Sequence, residues 1–266
     1  MRIAVFTLEA LAAAEAVSRF IAAEAGRIVL VGLSDPYRPA MGGMVGQTWR
    51  HIRRSGLGFL PYLATNFTLP EIAGAFGRGP ELPGRVARRM AIPVQLVAEV
   101  NGPALHAALR QLAVDLIVSF HFDQIFNAET LAIPRLGGIN VHPSLLPVHR
   151  GPVPTLHALL APVPQFGVSV HRLAVRIDAG GILAQTAVAL PAGRSVIGAA
   201  AALHLAALPL LPGVLEAIAA GREQPMFPDQ RPYCGFPSRA ELAGLRARGA
   251  AAANWADLRA AFARRA

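Results

Sequence analysis

Residues 116–120, LIVSF, form a short run that is apolar on both faces of an extended chain. A strand of that kind belongs in the middle of a parallel sheet whose two faces are covered by helices. Two earlier runs, 2–7 (RIAVFT) and 27–33 (RIVLVGL), have the same character. Between them, residues 8–24 carry Ala, Val, Phe and Ile at helical spacing, so the chain opens strand, helix, strand. That order starts a doubly wound sheet. A third strand is expected at 93–98 and a short helix at 103–112.

With 266 residues the chain can bury a sizeable core as one large domain, or as one domain with an appendage. Apolar residues make up 53% and charged residues 15%, with 25 Gly and 22 Pro, as in a globular chain rich in loops. All 25 basic residues are arginine, which excludes a pyridoxal Schiff base, a lysine nucleophile and a P-loop lysine. The net charge of +9 is spread along the chain. Its densest clusters, Arg85, Arg88 and Arg89, then Arg50, Arg53 and Arg54, read as solvated faces or anion sites, and nucleic acid is not expected as a partner. The single Cys234 excludes a disulfide framework and a multi-cysteine metal site, which fits a reducing, cytoplasmic setting. No secretory signal is read at Met1, and the apolar stretch 195–220, interrupted by His204, Pro209 and Pro212, is expected to be a kinked buried helix without membrane contact.

The chemistry concentrates in residues 137–154, GGINVHPSLLPVHRGPVP, and 176–185, RIDAGGILAQ. Ile139 and Val141 make a strand that opens at once into a Pro- and Gly-punctuated loop. Ligands of open α/β sheets bind at such strand ends. Asn140 and His142 are two apart, so their side chains share a face. An amide N–H beside an imidazole suits acyl transfer, since both can stabilise a tetrahedral oxyanion and the imidazole can move a proton. Asp178, on a loop between the expected strands 167–173 and 181–190, can orient that imidazole. The blander readings are a turn asparagine, a core histidine and a turn aspartate before Gly180.

Four motifs here resemble the 10-formyltetrahydrofolate-dependent formyltransferases: Asn140-Val141-His142-Pro143-Ser144, Leu146-Pro147-Val148-His149-Arg150-Gly151, Gly167-Val168-Ser169-Val170-His171 and Asp178-Ala179-Gly180. The resemblance covers about 115–190 well. It implies an α/β fold, a doubly wound, mostly parallel Rossmann-like sheet, with residues 1–220 as the catalytic domain and 221–266 as a small, partly helical C-terminal extension. It implies Asn140, His142 and Asp178 as catalytic residues and 10-formyltetrahydrofolate as formyl donor, with no metal. The pterin pocket would be lined by the loop 121–124, that is His121, Phe122, Asp123 and Gln124, together with Phe120, Ile125 and Ile177; ordinary core packing is the other reading of the two phenylalanines. Ser144, Arg150, Gly151 and His171 would face substrate. Arg150 either binds an anion, such as a folate glutamate or a substrate phosphate, or ties its loop to backbone carbonyls; His171 is either a pocket or a core histidine.

The expected reaction moves the formyl group to the amine of a small-molecule acceptor. Hydrolysis of the same folate by water, and a folate- or RNA-binding protein without chemistry, are the alternatives. Relatives acting on a ribosyl phosphate carry a Gly-rich loop after the first strand, whereas residues 7–10 here read TLEA. Residues 34–83, with Met41-Gly42-Gly43-Met44, Trp49 and His51, depart from the family and are expected as a helical packing insert or one wall of the acceptor pocket. The extension, with helices expected at 241–248 and 255–265, is shorter than the β-barrel appendage of transfer-RNA-modifying relatives. It either wraps the catalytic domain or serves a homodimer contact.

Overall fold

LIVSF lies between two parallel neighbours, as one of five parallel strands, in a computed structural model that describes residues 1–35, 38 and 42–263, the side chain of Met44 excepted. The strands are β1 (Ile3–Thr7), β2 (Ile28–Ser34), β3 (Val94–Val97), β4 (Leu116–Phe120), β5 (Gly138–His142), β6 (Gly167–Arg172) and β7 (Ile182–Ala187). They form one sheet in the order β3-β2-β1-β4-β5-β6-β7, with β1 to β5 parallel and β6 and β7 antiparallel. Strand order reverses between β1 and β4, and a crevice opens beyond the carboxyl ends there.

The helices are α1 (Leu11–Ala23), α2 (Gly43–Ser55), α3 (Leu60–Leu63), α4 (Leu69–Ala75), α5 (Pro83–Arg89), α6 (Pro103–Gln111), α7 (Ala128–Ala132), α8 (Pro154–Leu160), α9 (Val196–Ala207), α10 (Leu211–Ala219), α11 (Arg239–Ala247) and α12 (Trp255–Phe262). The period-two alternation divides the core. Ile3, Val5, Val118, Ile139 and Val141 join Val17, Phe20, Leu203 and Leu215 on one face, while Ala4, Phe6 and Ile117 meet Leu105 and Leu109 of α6 on the other. Because Ile139 and Val141 take the first face, Asn140 and His142 turn away from it.

The apolar stretch expected as one kinked helix is α9, a 3₁₀ turn at Leu208–Leu210, and α10. Among the described residues it is the one helical run long and apolar enough to cross a membrane, with mean hydropathy 1.7. It packs on α1, α8, β5 and β6, and buries Val196, Leu203, His204 and Leu211. The end of the helix expected at 255–265 lies partly outside the described residues, as does Met41 of the Gly42-Gly43 motif.

The described part of the insert beyond Gly42 is largely helical and packs against the core, and its π-turn at Ala64–Thr68 has a specific purpose. Helix α1 begins at Ala10 without a side-chain cap of its own. Asn66, fully buried, reaches in from the π-turn and accepts the Ala12 N–H at 2.9 Å through Oδ1. Glu9 meanwhile accepts the Gly84 N–H at 2.9 Å, and its burial raises its pKa. The α1 N-terminus is therefore already bonded, and a carboxylate stands beside it, which leaves little there for an anion. Asn66→Ala is expected to lose about 1–2 kcal/mol of stability, as other cap removals do, read from the midpoint of urea unfolding.

Candidate active site

β5 delivers Asn140 and His142 to the crevice, and β6 runs antiparallel beside it so that Asn140 pairs with His171 and His142 with Ser169. The loop after His142 is fastened from that neighbour. Ser169 Oγ donates to the Ser144 carbonyl at 2.6 Å and accepts the Leu146 N–H at 3.0 Å, while Gln185 Nε2 donates to both the Leu146 carbonyl and Ser169 Oγ. The Leu146–Pro147 peptide is cis.

Three side chains meet at the floor. Asp178, in the left-handed region at φ 49°, accepts the Gly151 N–H through Oδ2 at 2.8 Å. Its other oxygen, Oδ1, stands 3.6 Å from His142 Nδ1 and 3.6 Å from His171 Nε2, close enough for charge interaction and too long for a hydrogen bond. His142 is buried, and its Nε2–H donates to the His149 carbonyl at 3.2 Å, which leaves Nδ1 facing the carboxylate.

His171 fixes the amide. Its Nδ1 lies 2.9 Å from the Arg172 carbonyl and therefore carries the proton; Nε2 is left as an acceptor, and Asn140 Nδ2 donates to it at 3.1 Å. Burial pushes the His171 pKa down to about 4, against the opposing pull of Asp178, so the ring is neutral as this pairing requires. One N–H of Asn140 is thereby spent on orientation, and the second is left for the cleft.

His204, buried in α9 with Nδ1–H shared between the Ala12 and Ala200 carbonyls, is also held near 4 by burial, and His121, against His204 and Phe67, is pushed to about 3. These rings start from 6.5, so the unfolded chain binds more protons than the folded one between about pH 6.5 and pH 4. Stability is complete above that window and is lost as pH falls through it. The midpoint of urea unfolding is expected to drop steadily from pH 7 to pH 4.5; a flat profile would contradict neutral His171 and His204.

The cleft above the floor has a volume of about 760 Å³. His121, Phe122, Asp123, Gln124, Ile125 and Ile177 line it, as do Asn140, His142, Asp178 and Gly151. Gln124 also bonds the Val97 carbonyl, Ser34 and the Val100 N–H, which locks the loop after β4 to β2 and β3. Four expected residues lie behind the wall. Phe120 ends β4 on the α1 side, fully buried and 5.4 Å from the Phe20 ring, so it serves the core. Ser144 is buried and bonds the Val148 carbonyl, and His171 acts on Asn140 from beneath.

Arg150 is the fourth. It is 2% exposed, and its guanidinium donates to the carbonyls of Ile177, Asp178 and Arg231. Every bond described goes to backbone, so the loop-tying reading replaces the anion reading. The same contact brings in the tail, because the Cys234 N–H donates to the Arg150 carbonyl at 2.7 Å and Tyr233 bridges Arg150. Arg54 and Ser55 of α2 then hold the carbonyls of Phe236 and Pro237.

Insert and tail thus build the opposite wall with His51, Tyr62, Phe67, Tyr233 and Phe236; the sequence points to the insert as a whole as one possible wall and to no single side chain of the tail. The aromatic residues of the stretch YCGFP were the available signal, but nothing in it names a partner. Among the described residues no cluster of three His, Cys, Asp or Glu side chains suits a metal ion.

A family model described as formyl transferase matches residues 79–215. The methionyl-tRNA formyltransferase of Herpetosiphon aurantiacus is 38% identical over 143 residues, 54% of this chain and 47% of its own length. That of Rhodopirellula baltica is 39% identical over 116 residues, 44% of this chain and 35% of its own. The chain thus matches half or less of the length of these relatives. Among solved structures, a likely sugar N-formyltransferase from Mycobacterium tuberculosis has a TM-score of 0.57 at 20% identity, covering 92% of this chain and 79% of that one. Glycinamide ribonucleotide transformylase 1 from Symbiobacterium toebii gives 0.57 at 19%, covering 85% and 94%. These two likenesses are of fold.

Proposed function

The chain belongs to the formyl transferase family, and on that premise we propose that it transfers the formyl group of 10-formyltetrahydrofolate to the amine of a small-molecule acceptor, by direct attack through a tetrahedral intermediate. The observation that carries this reading is the floor of the cleft, where Asp178 Oδ1 stands 3.6 Å from each of two histidines and one of them orients Asn140.

In this reading the folate supplies the formyl group on its N10 nitrogen. The loop after β4 holds its ring, with Phe122, Ile125 and Ile177 offering apolar surface and the backbone of 121–124 offering polar groups. A cleft of about 760 Å³ that sets apolar side chains such as Phe67, Phe122, Ile125 and Ile177 beside convergent polar groups suits a ligand of this kind. Asn140 gives its remaining N–H to the oxyanion. His142, protonated on Nδ1 and held between Asp178 and the His149 carbonyl, supplies positive charge beside it. As the new C–N bond forms, Asp178 takes the proton released by the amine, directly or through water, and that proton passes to N10 as the bond between N10 and the formyl carbon breaks, so tetrahydrofolate leaves neutral at N10. Residues 1–220 carry this chemistry, and the extension 221–266 supplies part of the acceptor wall.

Titration with a stable 10-formyltetrahydrofolate analogue, followed by cofactor turnover with and without pooled cellular amines, tests the proposal. Binding with amine-dependent turnover is expected. Turnover that ignores amines would make the protein a hydrolase, and absence of binding would remove the folate reading altogether.

A further inference from the structure

Arg150 is committed to carbonyls and the α1 N-terminus is capped by Asn66, so neither place is open to an anionic group. The cleft offers another. Among the described residues three buried side-chain polar atoms have no hydrogen-bond partner: Arg38 Nη1, Gln47 Nε2 and His204 Nε2. The histidine atom is a bare acceptor away from the cleft lining, because Nδ1 holds the proton. Arg38 and Gln47 both line the cleft, and both orphaned atoms are donors.

Buried donors are nearly always paired, so two left open on one ligand-sized cleft call for a ligand acceptor. Arg38 is held in place for this. Its Nη2 donates to Asp123 Oδ2 at 3.1 Å, and Ser34 Oγ donates to the other oxygen of the same carboxylate. The guanidinium is thereby fixed with Nη1 remaining. Charge agrees, since Arg38, Arg50 and Arg54 line the cleft against the carboxylates Asp123 and Asp178.

We propose that Arg38 and Gln47 form an oxyanion subsite, which takes carboxylate or phosphate oxygens of a ligand bound in the same cleft as Asn140, His142 and Asp178. The inference rests on the transferase reading for the ligand's company but not for its chemistry. Two sources carry such oxygens: an acceptor with its own acidic group, and the glutamate of the folate.

The test uses the full chain and two variants, Gln47→Leu, which removes the unpartnered Nε2 donor, and Arg38→Met. Calorimetry measures inorganic phosphate, 5-formyltetrahydrofolate and the corresponding pteroate without glutamate. Loss of a charge-assisted contact is expected to weaken the oxyanion ligand about tenfold or more. If the glutamate is the source, both variants lose affinity for the folate and keep it for the pteroate. If the acceptor is the source, both folates bind as before, while inorganic phosphate, competitive with amines in the native protein, loses affinity in both variants. Unchanged binding of all three ligands by Gln47→Leu and by folded Arg38→Met would overturn the subsite. Failure of the native protein to bind either folate would instead strike the transferase reading, and the phosphate measurement would still judge the subsite.

Discussion

Asn140→Ala is expected to slow formyl transfer on the order of a hundredfold or more, the usual cost of one oxyanion donor, while folate affinity stays near that of the native protein and the unfolding midpoint falls modestly as buried His171 Nε2 loses its donor. The size of the effect follows from how the amide is held. One N–H is tied to His171 Nε2, the His171 ring is fixed by its own bond to the Arg172 carbonyl, and the second N–H is consequently aimed before substrate arrives. A donor that needs no reorientation contributes most where negative charge develops. Single-turnover rates measure this directly. His142→Ala and Asp178→Ala are expected to fall at least as far, and a fully active His142→Ala would end the mechanism proposed above.

Arg150→Met is expected to damage both stability and turnover. Its guanidinium is buried and serves three backbone carbonyls, so methionine would leave buried acceptors unpaired, at an expected cost on the order of 3 kcal/mol. Asp178 belongs to the loop so released, and the 3.6 Å spacing to His142 depends on it. A companion variant separates the strut from its charge. In Gly151→Ala the new methyl would lie 1.9 Å from the Cys234 carbonyl oxygen, at a φ of 132° that side chains rarely adopt, so the tail must lift while Arg150 remains. Both variants are expected to lower the urea midpoint and kcat together. Native stability and native kcat in Arg150→Met would show that the strut is dispensable.

The sequence exposed the central architecture where one residue type determines one environment. LIVSF is β4 to the residue, and the helix expected at 103–112 is α6, Pro103–Gln111. Strand patterning also put Asn140 and His142 on one face, because alternation leaves no other arrangement. It could not separate Phe120 from Phe122, since both are aromatic and the side of β4 facing α1 is decided by the whole sheet. Arg150 shows a different limit. Its partners are carbonyls of Ile177, Asp178 and Arg231, and a carbonyl carries no residue identity for a sequence to display. The insert was hard to read for a third reason. Apart from α2 its helices are short, and they are held through buried contacts such as Asn66 to Ala12, which link segments far apart in the chain.

The fastening of Arg150 to Arg231 and Cys234 also sets an order of events during synthesis. Translation delivers Asn140, His142 and Asp178 well before it delivers residues 231–234, so a growing chain carries these three side chains on loops that still lack that anchor. On the proposed mechanism, competence is expected only when that segment docks and completes the strut. Proteolytic trimming of it is then expected to lower turnover with each of the three side chains untouched, and adding the missing peptide back in trans is expected to restore it.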